Sequence, residues 1–270
     1  MKLSSKEKSR LLVKYGDWAI ITGASSGIGF ELATQLAQAG FNLIIQGRNL
    51  DKLNEAEMQL SVHSNITIKS VAADVSEQEG IEKIIQVSQG LNIGLLIVSA
   101  GYGTSGNFIE SSLHKEINML KVNCEALLSL THYFSQQFVT QKRGGIILMS
   151  SMVAFQGVPY SANYAATKAY VQTLAEGLAV ELKPFGVDGF AAAPGPVESG
   201  FSQRANMQMS MSLKPSEVGI PILKALGRKN TVLPGLLTKI LVYSLRTLPR
   251  CGKVRVMEKV MGGMTAHQRQ

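Results

Sequence analysis

Short apolar runs alternate with stretches of helical periodicity along most of this chain. Residues 18–22, 42–46, 66–72, 95–98, 145–149 and 187–193 are rich in Ile, Leu, Val and Ala and stop at glycine, proline or small polar residues. Runs of that length and composition read as strands buried on both faces. Residues 30–39, 51–60, 77–88 and 215–226 space their apolar side chains for helices, and residues from 161 onward continue as a helix through Tyr164 and Lys168. A last short strand is expected at 231–233, before Pro234-Gly235. Strand alternating with helix predicts an α/β fold, a doubly wound parallel sheet with helices on both faces.

The two ends break the alternation. Residues 1–15 read as a short basic lead-in of one helical turn or two. From residue 236, Leu237, Ile240, Leu241, Leu245 and Leu248 recur at helical spacing, with Lys239 and Arg246 elsewhere, and a basic segment follows from Pro249. The expected division is a lead-in at 1–14, one main domain at 15–234 and a basic amphipathic extension at 235–270 packed on that domain. Such an extension closes a pocket, packs in an oligomer or lies on an anionic membrane. Docking on its own domain or a neighbouring subunit is the first expectation, and peripheral membrane contact the second.

Composition narrows the class. A chain of 270 residues suffices for one large α/β domain. Cys124 and Cys251 are its two cysteines, which suggests neither a disulfide framework nor a metal site and fits a cytoplasmic protein. No signal peptide or membrane span is expected. Net charge is +4 over residues 1–14, −4 over 15–227 and +8 over 228–270. A mildly acidic body with basic ends argues against nucleic acid as the partner.

Chemistry concentrates at strand ends. Thr22-Gly23-Ala24-Ser25-Ser26-Gly27-Ile28-Gly29 sits between a strand and a helix, where backbone amides face an anion and glycines allow close approach. That placement predicts a nucleotide site. The next strand ends at Gly47-Arg48-Asn49, and an arginine there suits a ribose 2′-phosphate, hence NADP over NAD. Tyr164 and Lys168, four apart, share one helix face, and a fixed ammonium favours the phenolate. Ser151 follows the apolar run 145–149, at a strand C-terminus.

Through Thr22-Gly23-x-x-x-Gly27-x-Gly29, Asp74, Ser99-Ala100-Gly101, Asn123, Ser151, Tyr164-x-x-x-Lys168 and Pro194-Gly195, the chain resembles the short-chain dehydrogenase/reductase family. The resemblance spans roughly residues 15–234. It implies a Rossmann-type sheet of about seven strands and reversible hydride transfer between NADP(H) and a small-molecule carbonyl or alcohol. Tyr164 would exchange the proton, Lys168 would hold the nicotinamide ribose and depress the tyrosine pKa, and Ser151 would bond the substrate oxygen. Asn123 would position a water that relays protons to Lys168. The implied cofactor contacts are Gly23, Ser25, Ser26, Gly27, Ile28, Gly29, Arg48, Asn49, Asp74, Val75, Ala100, Gly101, Tyr164, Lys168, Pro194, Gly195 and Val197.

Val98-Ser99 stands where the family usually has two asparagines, so those two side-chain contacts are not carried over. Residues 200–215 would form a substrate lid whose Met207, Met209 and Met211 adapt to an apolar ligand or pack on the core. The family also implies a homodimer or homotetramer. The alternative function is a cofactor-binding scaffold that docks on a membrane or partner through its basic termini.

Overall fold

The computed structural model describes residues 2–62, 65–209 and 211–268. Helix α1 (Ser5–Tyr15) leads into β1 (Trp18–Thr22), α2 (Gly27–Ala37), β2 (Asn42–Gly47), α3 (Leu50–Ser61), β3 (Ile68–Ala72), α4 (Gln78–Ser88) and β4 (Ile93–Val98). The second half runs α5 (Leu113–Leu120), α6 (Ala126–Gln141), β5 (Gly144–Met149), α7 (Ala162–Glu181), β6 (Val187–Ala192), α8 (Phe201–Arg204), α9 (Pro215–Ala225) and β7 (Thr231–Val232). Two helices follow, α10 (Leu236–Arg246) and α11 (Arg250–Met264).

All seven strands pair in parallel, in the order β3-β2-β1-β4-β5-β6-β7. The expected Rossmann-type sheet of seven strands is therefore present. Its order reverses between β1 and β4, and that is where an open α/β sheet leaves a crevice at its strand C-termini.

Strand alternation builds the two cores. Ala19 and Ile21 of β1 and Leu95 and Ile97 of β4 face a layer formed with α2 and α9, including Leu32, Leu36, Ile222 and Leu223. Ile20, Leu96 and Val98 face the opposite layer, where Phe134 and Phe138 of α6 and Val171 of α7 pack. Burying each such side chain contributes roughly 1.5–3 kcal/mol before entropy is charged against it.

Both ends differ from expectation. The lead-in is an 11-residue helix, longer than one or two turns, with Leu11 and Tyr15 buried. Ser4 caps it, Tyr15 donates to Asp188 at 2.8 Å, and Arg10 donates to the carbonyls of Leu223 and Leu226 at the end of α9. At the other end, α10 buries Thr238, Val242 and Leu245. Of the predicted apolar stripe Leu245 is buried and Leu241 half-buried, whereas Leu237, Ile240 and Leu248 are exposed. The helix is apolar on two sides, and periodicity alone marks neither side as the inner one.

Candidate active site

One cleft of about 1990 Å³ runs along the strand C-termini, from the glycine turn past Ser151, Tyr164 and Lys168 to α10 and α11. A single small ligand needs roughly 300–1,000 Å³, so the cleft has room for a dinucleotide and a substrate together.

The turn before α2 has the geometry of a phosphate cradle. Gly23 has φ +67°, and a Cβ there would come within 2.8 Å of the Ala100 Cα. A Cβ on Gly29 would overlap the Gly23 carbonyl oxygen. Only glycine fits either place. Ser26 makes no side-chain cap bond, and no acidic residue stands in the first turn, so the α2 N-terminus keeps amide donors for an anion. Ser25, Ser26, Gly27, Ile28 and Gly29 all line the cleft there. Thr22 steadies the turn from below by accepting from the amides of Ser99 and Ala100 at 3.1 and 3.0 Å.

Arg48 and Asn49 sit where β2 ends, also on the cleft wall. The Arg48 guanidinium stands 3.7 Å from the Asp74 carboxylate. Asp74 also accepts from the Ser76 amide and hydroxyl at 2.9 and 2.8 Å. Partial burial opposes its charge, but the two Ser76 bonds and Arg48 outweigh that and hold the carboxyl below its usual range. Val75 lies beside it on the same wall.

Arg204 was not foreseen from the sequence. It stands in the short helix α8, faces the cleft and lies over the Tyr102 ring at 5.9 Å. Burial, then the like charge of Arg48, lowers its pKa. Two guanidiniums thus face this end of the cleft with Asp74 as the nearby carboxylate. That donor set fits a phosphate group better than a bare ribose hydroxyl.

At the other end Tyr164 and Lys168 lie on one face of α7, as their spacing requires, with the Lys168 ammonium 5.8 Å from the Tyr164 ring centroid. Ser151 follows β5, its hydroxyl accepts from the Val153 amide at 3.4 Å, and it favours the charged form of the nearby Tyr164 phenol. All three side chains are buried. Phe201 of α8 packs on the tyrosine ring with centroids 5.2 Å apart. Lys168 donates to the Met149 carbonyl at 2.9 Å, which ties the helix to the end of β5.

The electrostatics differ from the expected depression of the tyrosine: burial pushes its phenol up to about 12, and Ser151 only partly offsets this. Burial likewise lowers Lys168 to about 8. Desolvation penalises both charged forms, and the ammonium is committed to a carbonyl rather than to the phenol oxygen.

Asn123 lies in one π-helical turn, Lys121–Glu125, between α5 and α6. Its carbonyl oxygen accepts from the Tyr102 amide at 3.1 Å, and its amide donates to the Tyr102 carbonyl and the Thr167 hydroxyl. The side chain therefore fixes the Gly101-Tyr102 backbone. A Cβ on Gly101 would lie 3.0 Å from the Asn123 oxygen and 3.3 Å from the Lys168 nitrogen, so the two residues meet across that glycine. Ala100, Gly101, Pro194, Gly195 and Val197 line the cleft between its two ends, with Val197 held by a bridge to Leu213.

Met207, Met209, Met211 and the C-terminal helices form the remaining wall. Met207 is buried, Met209 half-buried and Met211 exposed, and all three line the cleft. Met207 and Met209 pack with Met257, Met261 and Met264 of α11. The packing alternative is thus realised for Met207 and Met209, which also line the cleft.

The family model described as short chain dehydrogenase matches residues 17–210. A very-long-chain 3-oxoacyl-CoA reductase of Podospora anserina is 34% identical over 180 residues, 65% of this chain and 53% of that protein. The chain thus aligns with about half of that relative's length. A 7beta-hydroxysteroid dehydrogenase of Clostridium sardiniense is 29% identical over 230 residues, 84% of this chain and 88% of the relative. Among solved structures, a 7beta-hydroxysteroid dehydrogenase superposes with TM-score 0.85 at 26% identity, covering 92% of this chain and 98% of the other. A short-chain dehydrogenase from Sphingobium yanoikuyae in complex with NADPH gives TM-score 0.79 at 27% identity, covering 86% and 92%. With the glycine turn, the serine, the tyrosine and the lysine assembled in one cleft, and a match over most of its length, this chain belongs to the short chain dehydrogenase family.

Proposed function

We propose that the protein is an NADP(H)-dependent oxidoreductase that interconverts an apolar carbonyl compound and its alcohol, with Tyr164 as general acid and base. The convergence of Ser151, Tyr164 and Lys168 on a cleft whose far end carries the glycine turn, Arg48 and Arg204 supports this most directly. The cofactor, when bound, supplies or accepts the hydride. Ser151 holds the substrate oxygen against the phenol, and Tyr164 delivers the proton to it. The Lys168 ammonium stabilises the phenolate left behind. Asn123 keeps the Gly101-Tyr102 backbone in place beside Lys168. The scaffold alternative needs none of these side chains. Screening ketones and aldehydes for loss of NADPH absorbance tests the assignment, and a protein inert toward every class of carbonyl would contradict it.

Size and lining favour a bulky apolar substrate. Eight of the eleven methionines in the chain line the cleft, and thioethers conform to irregular apolar shapes. The relatives' names, a very-long-chain 3-oxoacyl-CoA reductase and a 7beta-hydroxysteroid dehydrogenase, agree with that class.

The pH dependence follows from Lys168. Lowered to about 8, it is a cation below that pH and neutral above it. Carbonyl reduction needs the cation, so kcat/KM is expected to hold on the acid side and to fall above about pH 8. In Lys168→Arg the fall should move to higher pH, because a guanidinium stays charged. A profile that rises through pH 8 in the reductive direction would rule this role out.

Arg204 has a separate test. Its replacement by alanine is expected to weaken NADPH by about tenfold and NADH much less, read by titration, since a charge-assisted bond contributes ~1.5–3 kcal/mol and this one is partly exposed. Equal loss for both nucleotides would mean that Arg204 serves only the lid.

Oligomerisation also belongs to this reading. Ile117, Leu120, Leu128 and Tyr170 stand exposed on α5, α6 and α7 beside the catalytic strand, an apolar face suited to a second copy. A monomeric mass by sedimentation at micromolar concentration would contradict a homodimer or homotetramer.

A further inference from the structure

We propose that α10 and α11 dock this protein on an anionic lipid surface, and that the cleft takes its apolar substrate from that surface. The first half stands without the enzymatic reading; the second rests on it.

Helix α10 has two apolar sides. Thr238, Val242 and Leu245 pack inward, while Leu236, Ile240 and Tyr243, spaced for one stripe, are 74%, 54% and 54% exposed. Lys239 and Arg246 are exposed on the same helix, and the Arg246 guanidinium lies 5.0 Å over the Tyr243 ring. An aromatic carrying a cation at the edge of an apolar stripe suits the boundary between acyl chains and headgroups. Helix α11 turns Met257 and Met261 inward and leaves Arg255, Val256 and Lys259 exposed.

Charge selects the occupant. Between residues 236 and 264 stand Lys239, Arg246, Arg250, Lys253, Arg255 and Lys259 against one acid, Glu258. A second copy of this face would repel the first, whereas an anionic membrane attracts it. No helix among the described residues is long and apolar enough to cross a membrane, so α10 and α11 would lie in its surface plane.

The cleft borders these two helices. Leu237 and Val260 both line it and stand 45% and 42% exposed, so the same two helices bound the pocket and meet the outside. Docking would place an apolar, methionine-lined opening against lipid. A hydrophobic carbonyl compound could then enter without crossing water.

The test uses the full chain and phosphatidylcholine vesicles with and without phosphatidylglycerol. Cosedimentation is expected with the anionic vesicles, weakening at high salt. Lys239→Glu with Arg246→Glu should reduce binding by at least about tenfold, from the contribution of each surface cation. Leu236→Glu with Ile240→Glu should do the same, and neither pair should change NADPH affinity or melting temperature. If the second pair fails to fold, the charge pair and the salt dependence still decide. Docking is overturned by absence of binding, by equal binding to phosphatidylcholine alone, or by variants that bind as the wild type does. It is also overturned if the substitutions only dissociate a dimer. For the second half, the charge pair should slow reduction of a vesicle-borne ketone and spare a water-soluble one; equal effects on both would refute entry from lipid. Loss of NADPH binding in the wild type would defeat the enzymatic reading and leave the vesicle result standing.

Discussion

Tyr164→Phe is expected to lower turnover by about 10²–10⁴-fold, the usual contribution of a positioned general acid, while NADPH affinity stays unchanged. The substitution removes one oxygen and little else. The ring remains packed on Phe201, and the α7 backbone, Lys168 and the glycine turn are untouched. The large effect follows from burial. A phenol held up at about 12 keeps its proton through the neutral range, so it is available to donate to a carbonyl reduced beside it. The Ser151 hydroxyl can hold the substrate oxygen, but an ordinary aliphatic alcohol is a far weaker acid than a phenol. kcat and kcat/KM should fall together, because the lost interaction develops in the transition state. A variant with wild-type turnover would remove Tyr164 from the chemistry.

Arg48→Ala is expected to weaken NADPH by about 10- to 100-fold and to leave NADH nearly unchanged, as titrations of both nucleotides would show. Arg48 stands at the end of β2, where the adenosine ribose of a dinucleotide reaches in this fold, and it faces the cleft beside Asp74. Removing it takes away a cation suited to a 2′-phosphate and leaves the Asp74 carboxylate without that partner. A free carboxylate repels a phosphate and accepts from a ribose hydroxyl, so selectivity moves toward NADH for two reasons. Loss of both nucleotides in equal measure would mean instead that Arg48 supports the turn.

Much of this architecture is legible in the sequence because its signals are local. A strand buried on both faces has to be a short apolar run, so β1, β2, β4 and β5 stand out. A phosphate turn has to place glycine where φ is positive or a Cβ would collide, as at Gly23 and Gly29. Tyr164 and Lys168 must be four apart to share a helix face. What escaped depends on contacts distant in sequence. Arg204 lies in the short helix α8 with no motif, and it becomes informative only when the fold brings it over Tyr102 and near Arg48.

The same limit explains the misreadings. Spacing places an ammonium near a phenol but does not reveal that Met149 supplies the ammonium's acceptor or that burial dominates both pKa shifts. The stripe on α10 marks where apolar residues stand, not which of them Met152, Ala193 and Leu233 cover; there Val242 is buried and Leu241 packs beside it. The lead-in reads as only one or two turns because its first half, Ser5–Arg10, is polar, yet the helix runs on to Tyr15 and Leu11 and Tyr15 reach the core.

The most direct test of the central claim is titration of the purified full chain with NADPH and then NADH, followed by fluorescence. The expected result is saturable binding of one NADPH per chain, with NADH at least about tenfold weaker for want of the group that Arg48 and Arg204 would hold. Binding of neither nucleotide, or tighter binding of NADH, would contradict the account at the glycine turn and at Arg48 respectively.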